Sequence, residues 1–427
     1  MPSSPVPRRQ LLRTATAAVA AMAAAVAAPQ LRGQALARVI VVGGGFAGAS
    51  CALALKRAQP ALQVRLFEPR RRFIAGPLSN AMLAGQRSRA AVSATPAALA
   101  ALGIAWQEQA VAAVDPVRRR VRDAAGRWHA AERLVLAPGV DLVWDGIAGL
   151  DAAGSARMPH GWLGDASMLA LRARFAALGD GATVLIGVPA HPYRCPPGPY
   201  ERASLFAWAL RGRRAKVLVA DAKDDFSLRP LFQRAWSALP AGAIEWLPRA
   251  QGGEVDAVDT ARGEVRLASG ERLVPDLACI IPAQQAAALC HAADLVDASG
   301  WCPVHAHSFE SRRHAGVYVL GDAAQAYPLP KSAMAAHSAA QACAAAICAA
   351  LDGRAPAPSP VLHSQCHSLL APDAAIRLDG SYAAVAGRLS ALRQQRTAVD
   401  ADAAALAQEA VVAEDAYRGL LRESFGL

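Results

Sequence analysis

Residues 191–204 read HPYRCPPGPYERAS. Cys195 is followed by Pro196, Pro197 and Pro199, then by Glu201 and Arg202. Proline fixes φ and offers no backbone N–H, so this stretch holds a thiol stiffly. The apolar run before it, ATVLIGVPA (182–190), reads as a buried strand. A deprotonated thiol is a nucleophile and a redox group. Nearby cations or helix ends that lower its pKa would favour that role. His191 near Cys195, and His363 and His367 beside Cys366, are candidate proton relays, against plain packing or capping. The chain has eight cysteines. None forms a CxxC pair or a CxxCH haem site, and no spacing matches a zinc site. No metal is expected, and any haem belongs to another chain. Cys51, Cys343 and Cys348 lie in alanine-rich helical patterns and read as small core residues.

A second group of residues has the pattern of a nucleotide cradle. RVIVVGGGFAGAS (38–50) runs from a β-rich strand into Gly43-x-Gly45-x-x-Gly48 and on into a helical pattern. A further strand, QVRLFE, ends at Glu68, twenty residues past Gly48. Gly43 permits the tight turn, Gly45 lets backbone approach a pyrophosphate, and Gly48 lets the helix pack closely. The helix N-terminus stabilises phosphate, and Glu68 can bond ribose hydroxyls. RLVLAPGV (133–140), with Gly139 in its Pro-Gly turn, and GVYVLGDAAQA (316–326), entering Gly321-Asp322, follow in the order seen in two-dinucleotide flavoproteins. FAD is therefore the expected cofactor, with Asp322 toward its ribityl chain. The second dinucleotide unit keeps its strand at 182–190 but lacks a glycine fingerprint. Its proline-rich turn offers few N–H groups to a pyrophosphate, so NAD(P)H is not expected to bind.

These groups need a large scaffold. At 427 residues the chain calls for two or three domains. It is 54% hydrophobic and 19% charged, inside the globular range. Before the first strand, RRQLLR (8–13), an alanine-rich apolar run (14–29) and ALA at Ala35–Ala37 read as a leader. The pair Arg8-Arg9 points to twin-arginine export to a bacterial periplasm. The apolar run is about sixteen residues long, against roughly 20 for a span, so no membrane span is expected in the mature protein. The formal charge of +11 falls to +7 without the leader arginines Arg8, Arg9, Arg13 and Arg32. With 5% aromatic residues and no basic–aromatic interleaving, nucleic-acid binding is not expected.

RCPPGPYERAS, GWCPV (300–304), GDAAQAYPLPKSAMAAHSAAQ (321–341) and CHSLLAP (366–372) together resemble the flavoprotein subunit of flavocytochrome c sulfide dehydrogenase. The likeness runs from the leader to the terminal ESFGL. It implies an α/β fold of the glutathione-reductase-like kind, with two Rossmann-like units and a C-terminal interface domain. It implies periplasmic oxidation of sulfide through a redox-active disulfide. The family's pair carries over onto Cys195 and Cys366, which lie 171 residues apart. Glu201 matches a family acid near that pair and is a candidate general acid–base, provided burial raises its pKa; a surface ion pair with Arg202 is the competing reading. Cys302 matches a position beside the chemistry and reads as structural. In the family, the helix starting at Lys331–Ser332 points its N-terminus at the flavin, and Lys331 adds to the positive field. Electrons pass singly to a cytochrome c subunit, implying a heterodimer. One departure stands out. Family members attach FAD through a cysteine just before the LSN segment, and Gly76 occupies that place here, so non-covalent FAD is expected.

The expected organisation is a leader at 1–37, an FAD domain at 38–155 and 278–355, a second Rossmann-like domain at 156–277 without an NAD(P)H site, and an interface segment at 356–427 with helix over 383–420. Two other readings fit the same residues: a sulfide:quinone reductase-like enzyme, and a non-catalytic accessory or repair flavoprotein of a sulfur-oxidising system. The C-terminal stretch lacks the bulky apolar residues of a membrane-surface helix.

Overall fold

The first strand, Ala37–Val42, is flanked by parallel strands on both sides: Val64–Phe67 (Val39 opposite Val64) and Trp128–Leu136 (Val39 opposite Arg133). A parallel strand covered on both faces reads as a continuous apolar run, and Val39 to Val42 are accordingly 5% exposed or less. This computed structural model describes residues 37–356 and 360–427; the leader lies outside the described residues. Ala105–Gln107 extends the sheet beyond Val64–Phe67. Val317–Val319 joins it alongside Trp128–Leu136, also parallel, and so delivers Gly321 and Asp322 to the same sheet end as the glycine turn. Two antiparallel strands, Arg120–Asp123 and Val111–Asp115, complete it.

The glycine turn is required by space. A Cβ on Gly43 would lie 2.2 Å from the Ala137 carbonyl oxygen, and its φ is +97°. A Cβ on Gly48 would lie 1.9 Å from the Gly43 carbonyl oxygen. Only glycine lets the helix Phe46–Ala58 start that close to the turn.

A second, four-stranded sheet is wholly parallel, in the order Ile244–Leu247, Lys216–Asp221, Thr183–Val188, Leu277–Ile280. Helices Ala166–Ala176, Gly198–Ala209 and Arg229–Ser237 belong to this part of the chain. Leu277–Ile280 pairs with Thr183–Val188, so the second sheet runs past the boundary expected at 277. The chain returns through Ala283–Ala286, which pairs antiparallel with Val140–Val143.

The last segment departs from expectation. Residues 383–396 are not helical: Leu362–Ala371, Ala374–Val385 and Arg388–Arg396 form a three-stranded antiparallel meander, and helix runs only over Ala403–Phe425. Alanine's helix preference is weak against a turn that dictates pairing. Ala386 and Gly387 have φ of +49° and +78° and connect Val385 directly to its partner Arg388, the geometry of a two-residue hairpin. The final helix is tied down at its end. Ser424 and Ser50 hydroxyls meet the His337 ring at 3.3 and 2.8 Å, and Phe425 packs edge-on against Phe46 at 5.3 Å. Ala333–Leu351 is the one described helix with the length and apolarity of a membrane span. Its face of Ala335, Ala339, Cys343 and Ile347 is buried in the core.

Candidate active site

The strand Thr183–Val188 ends beneath a turn that carries Cys195. The turn holds a cis His191–Pro192 bond and puts Cys195 at φ +54°, a conformation uncommon outside glycine. The Cys195 N–H donates to the Lys331 carbonyl at 2.8 Å. Pro197 then caps the helix Gly198–Ala209, which places Glu201 in its first turn. Cys366 comes from the opposite direction, on the strand Leu362–Ala371. The Ser332 hydroxyl bonds its thiol and is also the N-cap of Ala333–Leu351, accepting from Ala335 N at 3.3 Å. Both cysteine segments thus converge on the Lys331–Ser332 step.

They meet on one cavity of about 610 Å³. Its wall includes Cys195, Cys366, Glu201, Lys331 and Ser332, and also Gly43, Gly45, Glu68, Gly139, Gly321 and Asp322. Gly48 stands apart, packed against the turn. Both thiols are unbonded in this structure, whereas the family likeness implied a disulfide.

The glycine side suits a dinucleotide. A Cβ at Gly45 or Gly139 would meet nothing within 4 Å, so backbone there is open to a ligand. The buried Glu68 carboxylate is aimed by donors from Gly44 N (2.9 Å) and from Arg70 N and Nε (3.0 and 2.9 Å). An FAD pyrophosphate against Gly45 and the helix start, with its ribose on Glu68, fits these residues. Gly76, also on the wall, carries no group that could bond a flavin covalently.

Burial dominates the electrostatics at the cysteines. It pushes the Cys195 thiol far up, helped by Glu201 and Cys366 and opposed by Arg194. It pushes Cys366 up to about 11, against the Ser332 hydroxyl. Cations do not lower these thiols below their ordinary range; at Cys195 burial outweighs Arg194. Glu201 is 7% exposed, and burial raises its pKa despite donors from Leu369 N (2.9 Å) and Asn80 Nδ2 (2.7 Å). It does not pair with Arg202, which is itself buried. Burial brings Lys331 down to about 8, opposed by Asp322. Its ammonium donates to the Asp322 and Ala324 carbonyls at 2.6 and 3.0 Å and lies 3.7 Å from the Trp301 ring centre.

Of the three candidate histidines, His367 lines the cavity, and burial lowers it to about 4, so it is neutral near pH 7. His191 and His363 are exposed and do not line it. Cys302 is fully buried beside Cys290 and does not line the cavity. Sequence reasoning missed three residues. Arg194 pairs with Asp322 at 3.6 Å, Tyr417 lines the cavity with its hydroxyl unpartnered, and Asn80 holds Glu201. Adjacency to Cys195 was a usable signal for Arg194; nothing local marks the other two.

Residues 37–161 match a family model described as pyridine nucleotide-disulphide oxidoreductase. Residues 168–282 match the central part, and 358–425 the flavin-binding part, of the flavocytochrome c sulfide dehydrogenase flavoprotein chain. A flavoprotein chain of that name from Chlorobaculum thiosulfatiphilum is 51% identical over 45 residues, which span 10% of this chain and 94% of the relative. Mitochondrial sulfide:quinone oxidoreductase of Mus musculus is 28% identical over 112 residues, 26% of this chain and 25% of that protein. Among solved structures, the sulfide:quinone oxidoreductase of Aquifex aeolicus superposes with a TM-score of 0.71 at 17% identity, covering 91% of this chain and 92% of the other. Putidaredoxin reductase, in its covalent complex with putidaredoxin, superposes at 0.62 with 20% identity, covering 91% and 98%. The fold is therefore that of the FAD-dependent disulfide-oxidoreductase class, and the chain belongs to the family of flavocytochrome c sulfide dehydrogenase flavoprotein chains.

Proposed function

We propose that this chain oxidises sulfide with non-covalently bound FAD and a Cys195–Cys366 redox pair, and passes the electrons singly to a cytochrome c subunit in the periplasm. The observation that carries the reading is the convergence of both thiols and the buried Glu201 on the wall of the cavity that holds the glycine cradle.

Turnover starts from the pair as a disulfide. HS⁻ attacks one cysteine sulfur; the disulfide breaks, a substrate–cysteine sulfur bond forms, and the other cysteine leaves as a thiolate. Glu201 takes the proton of the substrate, which its raised pKa and lack of a direct ion pair allow. Lys331 and the N-terminus of Ala333–Leu351 supply positive field at the cavity wall. FAD held against Gly45, Glu68 and Asp322 would supply the acceptor for the electron pair and would allow its release one electron at a time. The disulfide re-forms as the substrate sulfur leaves at the zero-valent level, two electrons and one proton poorer than HS⁻.

The second sheet supports electron entry from sulfide and not from a nicotinamide. Asp221 ends the strand Lys216–Asp221, where a dinucleotide unit presents an acid to ribose. Its carboxylate is already taken by Tyr200 OH (2.6 Å), Trp246 Nε1 (3.0 Å), Lys223 N (3.1 Å) and Lys223 Nζ (2.5 Å). The likeness to mitochondrial sulfide:quinone oxidoreductase favours a second reading, with a quinone as acceptor. Anaerobic sulfide should bleach the flavin at about 450 nm while NADH and NADPH do not, and cytochrome c should then reoxidise it. Reoxidation by quinone with no response to cytochrome c would establish the second reading. Bleaching by NADH would overturn the first.

A further inference from the structure

Asn80 lies in the short helix Ser79–Leu83, is 4% exposed, and does not itself line the cavity. Its side-chain amide nevertheless stands between two ionisable groups. Nδ2 donates to Glu201 Oε2 at 2.7 Å and to the Gly198 carbonyl at 3.0 Å. Oδ1 accepts from Arg202 Nε at 3.1 Å. This pattern fixes the amide: turned over, it would face donors to a guanidinium and an oxygen to a carboxylate. The other Arg202 donors go to neutral acceptors, the carbonyls of His160 (2.8 Å) and Gly161 (2.6 Å) and the Cys279 sulfur (2.8 Å). Among the described residues no carboxylate forms an ion pair with this 1%-exposed guanidinium, although Glu201 is its chain neighbour.

Distance from Arg202 matters because of what a buried carboxyl does next to a cation. A direct pair holds it ionised, lowering its pKa by about 1–3 units. One intervening amide passes on only part of that field. The carboxylate is also anchored on its other side: Oε1 accepts from Leu369 N at 2.9 Å, on the strand that carries Cys366. Glu201 therefore joins the helix after Cys195 to the strand of Cys366, and Asn80 sets the angle of that junction.

We propose that Asn80 is a positioning residue for Glu201, aiming its carboxylate at the cysteine pair and keeping it one amide away from Arg202, so that it can take up and give back a proton in each turnover. The proposal rests on the reading of Glu201 as proton acceptor. The ionisable groups facing Glu201 are the thiols of Cys195 and Cys366 and the Arg202 guanidinium. Burial raises its pKa, while the Leu369 and Asn80 donors and the Arg202 charge oppose that.

Asn80→Asp tests this with an isosteric side chain. It keeps an acceptor for Arg202 but replaces the donor to Glu201 with a second negative charge. The readout is an infrared titration of the Glu201 carboxyl band in the FAD-loaded enzyme, assigned by its loss in Glu201→Gln, alongside the pH profile of kcat/KM for sulfide. In Asn80→Asp the band midpoint should move to higher pH by about one unit or more, and the acid limb of the kinetic profile should follow. Asn80→Ala removes both the donor to Glu201 and the acceptor of Arg202 Nε; with the spacer gone the guanidinium can reach the carboxylate, so the midpoint should move to lower pH, and this variant serves alone if the aspartate variant does not fold. Midpoints unchanged from wild type would overturn the role of Asn80. A band that moves without its kinetic limb would uphold Asn80's hold on the carboxylate and remove Glu201 from the proton transfer.

Discussion

Cys195 is held by its main chain. A non-glycine residue at positive φ costs of order 1–3 kcal/mol, and here the proline turn and the bond from its N–H to Lys331 O impose that conformation. Glu201, by contrast, is held by its side chain, between Leu369 N and Asn80. Glu201→Gln should retain FAD yet lower sulfide-dependent flavin reduction by about 10²-fold, the low end of general acid–base catalysis; a loss under twofold would remove it from the chemistry. Lys331 gives a pH dependence with a definite sign. Its pKa is brought down to about 8, so its charge is present below that pH and lost above it. Flavin reduction by sulfide should carry an alkaline limb near pH 8 that Lys331→Met abolishes, with a slower rate at neutral pH. An unchanged limb in that variant would assign it elsewhere. At this scale the residues of the cavity wall were legible where adjacent residue types mark them, as with Cys195, Glu201, Gly43 and Gly45. Asn80 was not, because its partners lie 121 and 122 residues away and only folding brings them together.

The elements follow a similar division. The strand–glycine–helix unit at 37–58 could be read directly, because parallel strands buried on both faces are continuous apolar runs and the glycines are sterically required. The meander at 362–396 could not. Its alanines suit a helix, and the deciding signal was the Ala386-Gly387 turn. The expected break at 277 fell inside Leu277–Ile280 because pairing with Thr183–Val188, a non-local event, decides where the second sheet ends. The final helix covers the cavity with Tyr417 and Leu420 and is locked by Phe425, which is fully buried against Phe46 and Phe73. Phe425→Ala should destabilise the protein by about 3–5 kcal/mol, the usual cost of emptying a buried aromatic site. Urea unfolding would measure this, and hydrogen exchange should rise first along 403–425. Uniform exchange with no loss of stability would show that the helix is held in some other way.

The whole molecule brings two sheets and a C-terminal layer together around the cavity lined by Cys195 and Cys366, and in the second sheet the Asp221 carboxylate is held by Tyr200 and Trp246. Because Gly76 stands where a linking cysteine is expected, acid precipitation should release the yellow flavin into the supernatant. Colour that stays with the washed, digested pellet would show a covalent bond at some other residue. The central claim is that Cys195 and Cys366 carry the electrons from sulfide to the flavin. Anaerobic stopped-flow absorbance at about 450 nm, with Cys195→Ser and Cys366→Ser beside the wild type, tests it most directly. Each variant should fold and bind FAD, since the cradle residues lie elsewhere, and each should lose sulfide-dependent bleaching by orders of magnitude for want of a comparable nucleophile. A Cys195→Ser enzyme that sulfide bleaches at the wild-type rate would contradict the account.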